Sequence, residues 1–189
     1  MLLICSEMNF GEILNDNLMK FQNYKREEVD LLQHCLAQKA LHEDLKVHIG
    51  TDSISIGGKI NYFAVVAFRY GTNGVHFIYH KEVIPTSNKN RGKWGVFMKL
   101  RREAELTISI ADKLVEMNVF SIEDIVLELD FNNIVDTLYQ GLIPEIKGLG
   151  IWKGYQMKVK FKDDLYRGQV VTEDLIAVKA ADHLCQGVS

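Results

Sequence analysis

The sequence predicts an α/β domain with a mixed sheet, and three observations carry that expectation. Three consecutive strand-like runs, the first of them alternating apolar and polar residues, are separated by glycine-rich turn signals, as in an antiparallel meander. Beyond them a long stretch with helical spacing is followed by one more alternating run, then by helix and strand again. At 189 residues and 47% hydrophobic content the chain is large enough for one sizeable core, and only two prolines and no low-complexity tract interrupt it.

Taken in order, residues 10–44 read as helical, with Val29, Leu32, Leu36 and Ala40 spaced for one face. We expect an N-terminal helical extension over residues 1–44 packed on a main domain of residues 45–189. A first strand runs over 46–56, ending at the Gly57-Gly58 hairpin signal, and a second over 59–69. Gly71-Thr72-Asn73-Gly74 turns the chain into a third strand over 75–84. A helix follows over 96–117, where Val96, Leu100, Thr107, Ile110, Leu114 and Met117 form a stripe. Next come a strand ending at Asp130, a short helix over 133–140, a connection loosened by Gly148, Gly150 and Gly154, a strand over 156–162, and a last helix over 173–185 capped by Thr172. The order is βββαβαβα.

Four acids stand where a lone carboxylate is poorly placed. Glu103 falls inside the apolar stripe of the long helix, whereas Glu105 shares a mixed face with Arg101, Ile108 and Asp112. Asp182 lies on the stripe of Leu175, Val178 and Cys185 in the last helix, and His183 beside it is turned away by about 100°. The alternating runs 46–52 and 124–130 each finish on an aspartate, Asp52 and Asp130, and α/β sheets bind ligands beyond the carboxyl ends of strands. Singly, such an aspartate is often a turn former or helix cap. Together, four close carboxylates repel and oppose folding unless cations neutralise them, which points to a divalent-metal site.

Net charge is −3, but the bases are not spread evenly. Residues 83–102 hold no acid and include Lys89, Arg91, Lys93, Lys99, Arg101 and Arg102; residues 146–162 hold no acid and include Lys147, Lys153, Lys158, Lys160 and Lys162. Trp94 and Phe97 punctuate the first stretch and Trp152, Tyr155 and Phe161 the second, as in a groove that grips phosphates and stacks bases. A solvated face over core aromatics is the plainer alternative. The nucleic-acid contacts expected are Lys89, Arg91, Lys93, Trp94, Arg101, Arg102, Lys153 and Lys158. The first ten residues lack a basic segment and carry a short apolar run, so neither a secretion signal nor a membrane span is expected; three unpaired-looking cysteines, Cys5, Cys35 and Cys185, suit a reducing cytoplasm. No phosphate-binding glycine loop, zinc spacing or serine-nucleophile elbow is present.

The element order and the placement of the four acids resemble the ribonuclease H-like superfamily. Val47-His48-Ile49-Gly50-Thr51-Asp52-Ser53 is similar to that superfamily's first-strand motif, and Val126-Leu127-Glu128-Leu129-Asp130 to its fourth. More narrowly, Ile49-Gly50-Thr51-Asp52-Ser53 and Ala180-Ala181-Asp182-His183 resemble the YkuK-type ribonuclease H-like family. The resemblance covers residues 45–185. It implies a five-stranded mixed sheet, three antiparallel strands then two parallel ones, flanked by helices. It also implies that Asp52 is shared by two Mg²⁺ or Mn²⁺ ions, Glu103 and Asp130 serve one, and Asp182 serves the other. The implied activity is a nuclease that hydrolyses RNA or an RNA–DNA hybrid and leaves a 5′-phosphate. A DNA-directed resolvase- or exonuclease-like relative and an inactive nucleic-acid-binding module are the alternatives. Ser53, Asn132 and Lys179 are candidates for supporting or phosphate contacts. The basic, histidine-bearing loop of some relatives has no clear counterpart between Lys162 and Thr172.

Overall fold

The computed structural model describes residues 19–42, 44–71, 74–86, 92–131, 142–160 and 175–188. Among the described residues seven strands form one mixed sheet with four α-helices packed on its faces: β1 (Phe21–Gln22), β2 (Glu28–Val29), α1 (Leu31–Leu41), β3 (Leu45–Ile56), β4 (Lys59–Tyr70), β5 (Val75–Pro85), α2 (Gly92–Glu116), β6 (Ile125–Asp130), α3 (Leu142–Trp152), β7 (Gln156–Lys160) and α4 (Ile176–Gln186). The strand order is β2-β1-β5-β4-β3-β6-β7. Strands β3, β4 and β5 are antiparallel neighbours, while β6 runs parallel to β3 and β7 parallel to β6.

The sheet therefore has seven strands, against the five expected. The extra pair lies in the N-terminal segment, where helix was expected. The Asn23 side-chain oxygen accepts from the backbone N–H groups of Lys25 and Glu27, and Arg26 turns back with φ +66°, so the chain makes a tight hairpin there. That hairpin docks through β1 on the edge of β5. Helix α1 begins only after Asp30, whose carboxylate caps the Gln33 N–H at 2.8 Å. It buries Leu31 and Cys35 and leaves Leu32 and Leu36 exposed, so the inward face is one residue out of phase with the expected one. His34 and His76 join α1 to β5 through ring nitrogens 2.9 Å apart.

The β3–β4 hairpin turns at Gly57 (φ +58°) and Gly58 (φ +74°), the pair of positive dihedrals that a two-residue turn matched to strand twist requires. Helix α2 starts four residues before the expected position, at Gly92. Its inward face is the expected stripe in its middle, with Leu100, Thr107, Ile110 and Leu114 buried, but Val96 is exposed. Leu106, Ile110 and Leu114 pack with Val47, Ile49, Val66 and Phe68 on one side of the sheet. Ala177, Ala181 and Cys185 of α4 pack on Phe63, Val65, Ala67 and Tyr79 on the other. Helix α3 falls where glycines suggested a loose connection; Leu142 and Ile146 anchor it against Leu100, Ala104 and Leu129, and burial there outweighs the weak helix propensity of Gly148 and Gly150. The helix expected over 133–140 lies outside the described residues, as do Thr172, Glu173 and Asp174; α4 begins at Ile176 after Leu175.

Gly50 fixes how closely α4 approaches β3. A methyl group there would lie 2.8 Å from Val178 Cγ2, 3.0 Å from the Val178 backbone nitrogen and 3.2 Å from the Glu128 carbonyl oxygen. Backbone atoms cannot swing aside, so Gly50→Ala is expected to push α4 outward and to cost about 1–3 kcal/mol by urea denaturation. A variant as stable as the parent would mean that the α4–β3 interface is more yielding than this spacing implies.

Candidate metal and phosphodiester site

Strands β3 and β6 are parallel neighbours, paired from Val47 with Ile125 to Gly50 with Glu128. Asp52 and Asp130 each lie two residues beyond that last pair, at the same level and on the face covered by α4; Asp130 ends β6 as expected, but Asp52 lies inside β3, which continues to Ile56 because its hairpin with β4 extends past the end of the parallel pairing. Glu103 comes in from α2 on the opposite face. It is only 7% exposed, and its carboxylate accepts a short hydrogen bond from the Ser53 hydroxyl. Asp52 in turn accepts from the Ser53 backbone N–H at 2.7 Å, so one serine ties together acids approaching from two sides of the sheet.

The carboxyl groups feel one another's charge. Burial raises Glu103 from its ordinary 4.5 to about 8; Lys99 and the Ser53 hydrogen bond oppose that rise, while Asp52 and Asp130 add to it. Asp52 is raised as well, chiefly by burial, with Asp182 adding to the rise and the Ser53 N–H and Lys99 opposing it. Asp182 is exposed rather than buried: the inward stripe of α4 is Ala177, Val178, Ala181 and Cys185, and Asp182 sits at its edge, accepting from the Gln186 amide at 2.9 Å. A helix turns 100° per residue, so the expected stripe through Leu175, Val178 and Cys185 runs beside Asp182 and not over it. Among the described residues no three acid, histidine or cysteine side chains form a ready-made ion cage.

Glu105 differs from Glu103 in its partners. It pairs with Arg101 at 3.0 Å and with Arg102 at 3.6 Å. Arg102 also grips Glu82 with two hydrogen bonds of 2.6 and 2.9 Å, and Arg101 reaches Glu145 at 4.0 Å. A phosphate would have to displace those carboxylates, and the two arginines expected to bind nucleic acid are occupied by acids from other elements. Lys153 lies against Asp112 at 2.9 Å, and Asp112 is nine residues, roughly 13 Å, along α2 from Glu103. Lys158 stands on β7 in register with Glu128 and is half-buried. Trp94 is 53% exposed and stacked on Phe97 with ring centroids 5.1 Å apart, an open platform at the start of α2. Lys179 is exposed on α4. Lys89, Arg91, the Lys93 side chain and Asn132 lie outside the described residues.

Lys99 was not singled out among the expected site residues, although it lies one helical turn before Glu103, the spacing at which helix side chains meet. Its ammonium donates to the Ser53 carbonyl oxygen and acts on both Asp52 and Glu103. The second omission is Glu128. This side chain is fully buried; Oε1 lies 2.7 Å from His48 Nδ1, and Oε2 accepts from the backbone N–H groups of Ala177 (2.7 Å) and Val178 (3.3 Å). A carboxylate only accepts, so His48 Nδ1 carries the hydrogen. Leu175 makes no side-chain cap hydrogen bond, and Glu128 caps α4 from the neighbouring sheet, fixing the start of the helix whose Asp182 charge acts on Asp52. Nearby, Thr107 donates to the Glu103 carbonyl at 2.9 Å, which leaves Thr51 to donate to Thr107 Oγ1 across the β3–α2 interface.

Burial pushes the thiols of Cys35 and Cys185 up to about 12, which leaves both protonated and unsuited to nucleophilic attack. No helix among the described residues is long and apolar enough to cross a membrane. No protein-family model matches the sequence, and no curated protein matches it closely enough to transfer a function.

Proposed function

We propose that this chain is a ribonuclease H-like, metal-dependent nuclease that hydrolyses phosphodiester bonds of RNA or of an RNA–DNA hybrid and leaves a 5′-phosphate. The single observation that carries this reading is the convergence of acids from β3, β6, α2 and α4: Asp52 and Asp130 stand level on neighbouring parallel strands, Ser53 joins Asp52 to the buried Glu103, and the charges of Asp130 on Glu103 and of Asp182 on Asp52 are felt there. Three antiparallel strands followed by two parallel ones, β3 to β7, in the order expected from the ribonuclease H resemblance, support it.

The donor set fits Mg²⁺ or Mn²⁺. All four ligand candidates are carboxyl groups whose hard oxygens are the class these ions prefer, and a divalent ion would favour the ionised form of Glu103 that burial opposes. Asp52 would be shared by both ions, Glu103 and Asp130 would hold one, and Asp182 the other. Bound there, two ions supply activation of a water and stabilisation of the departing 3′ oxygen. The chain's own residues do the positioning: Ser53 orients Asp52 and Glu103, Glu128 fixes the start of the helix that carries Asp182, and the Trp94–Phe97 pair offers a stacking surface.

Asp130→Asn tests this directly. The variant is expected to retain its circular dichroism spectrum and to lose at least about 100-fold in Mn²⁺-dependent cleavage of a labelled hybrid. Parallel incubations with duplex DNA, single strands and a four-way junction identify a DNA-directed relative. Salt-sensitive binding to nucleic acid with no metal-dependent cleavage of any of them would reject the nuclease reading in favour of a binding module.

A further inference from the structure

Among the described bases of its stretch, Lys99 is the one that reaches the strand carrying Asp52. Arg101 and Arg102 on the following turn are held by Glu82, Glu105 and Glu145. Lys99 instead donates to the backbone carbonyl of Ser53. The same serine gives its N–H to Asp52 and its hydroxyl to Glu103, so the ammonium is anchored on the residue that joins two of the four carboxyl groups. Its charge acts on Asp52, on Glu103 and on Cys185 behind them. A half-buried ammonium anchored on the serine that bonds both carboxyl groups places a fixed positive charge beside the position a metal ion would take.

We propose that Lys99 is a built-in counter-ion, which offsets the remaining negative charge of the Asp52–Glu103 pair when the divalent ion is absent and withdraws when the ion binds, so that it sets how tightly the site takes metal. This inference rests on the metal-site reading above. A lysine suits the role: its ammonium is a compact point charge on a flexible four-carbon stem, able to leave the site without moving the backbone of α2. The cost of folding four acids together is thereby lowered before any metal is present. The same charge opposes the incoming ion, so affinity for Mg²⁺ or Mn²⁺ is held below what the carboxylates alone would give.

Calorimetric titration of the full chain with Mn²⁺ tests the proposal, using Lys99→Met, with Lys99→Gln as a second neutral variant in case the first fails to fold. Removing the positive charge is expected to tighten Mn²⁺ binding by at least about tenfold. Lys99→Arg, which keeps the charge, is expected to stay near the parent. In metal-free buffer the neutral variants are expected to melt below the parent and to recover on addition of Mn²⁺. Parent-like or weaker Mn²⁺ binding by both neutral variants, with the parent itself binding in an Asp52-dependent way, overturns the counter-ion role and leaves the metal site standing. Absence of Asp52-dependent Mn²⁺ binding in the parent overturns the metal site, and this inference with it. A loss confined to KM for nucleic acid, at unchanged Mn²⁺ affinity, also overturns it and makes Lys99 a substrate contact.

Discussion

Glu128→Ala is expected to destabilise the fold by about 3–5 kcal/mol, measured as a lowered urea midpoint at unchanged slope. The size follows from what the carboxylate satisfies. With Glu128 gone, His48 Nδ1–H and the N–H groups of Ala177 and Val178 face a dry interior without an acceptor. His48 itself is 3% exposed, and the backbone of α4 cannot turn to water without leaving Gly50. Glu128→Gln is expected to fall between, since one amide oxygen can serve the histidine or the helix but not both, and the amide nitrogen would confront donors. Amide exchange should localise the damage to the first turn of α4. The consequence extends to the site: a displaced α4 carries Asp182 away from Asp52, so Mn²⁺ affinity should fall with stability. If the alanine variant came within 1 kcal/mol of the parent, the buried cap would have to be replaced by water, and its role in placing α4 abandoned.

Replacing Glu103 with glutamine is expected to reshape the pH dependence of stability. The native carboxyl holds its proton up to about 8, whereas in the unfolded chain it ionises near 4.5. Between those values the native state binds more protons than the unfolded state, so this group makes stability fall as pH rises, with no further change above about 8. Glutamine removes the slope. In metal-free buffer, Glu103→Gln should therefore gain on the parent steadily from pH 5 to pH 8, by a total on the order of several kcal/mol. The amide still accepts from the Ser53 hydroxyl, so the comparison isolates the charge. Denaturation curves for parent and variant that stay parallel across this range would show that Glu103 ionises without penalty, and that the acids are not crowded in the way described. Under the proposed function the same variant should also lose metal-dependent cleavage, because one ligand oxygen of the ionised form is gone.

Much of this arrangement was legible before any coordinates. The Gly57-Gly58 turn, the three long antiparallel strands and the middle of the α2 stripe follow from period and turn chemistry, which are local properties of the chain. The same stripe distinguished Glu103 from Glu105, since a helix face is decided by spacing. Local signals misled where tertiary burial competes with them. Helix α3 forms over glycines because Leu142 and Ile146 find a core, and residues 21–29 form a hairpin because a sheet edge is waiting for it. The phase of α1 also followed packing, with Leu31 and Cys35 turned inward in place of Leu32 and Leu36.

The polar positions of β3 and β6 make the division clearest. Alternation along 46–52 and 124–130 marks His48, Gly50, Asp52, Glu128 and Asp130 as the less apolar side, and by itself determined that these residues share faces of two strands. It carries no information about what covers that side. Only the tertiary structure decided that α4 lies across it, which turns Glu128 from a surface charge into a buried cap, and that on α2 Lys99 reaches the Ser53 carbonyl while Arg102 is held by Glu82. Period is a property of neighbouring peptide units, whereas burial and charge pairing depend on residues tens of positions away, and their energies exist only once the chain has closed.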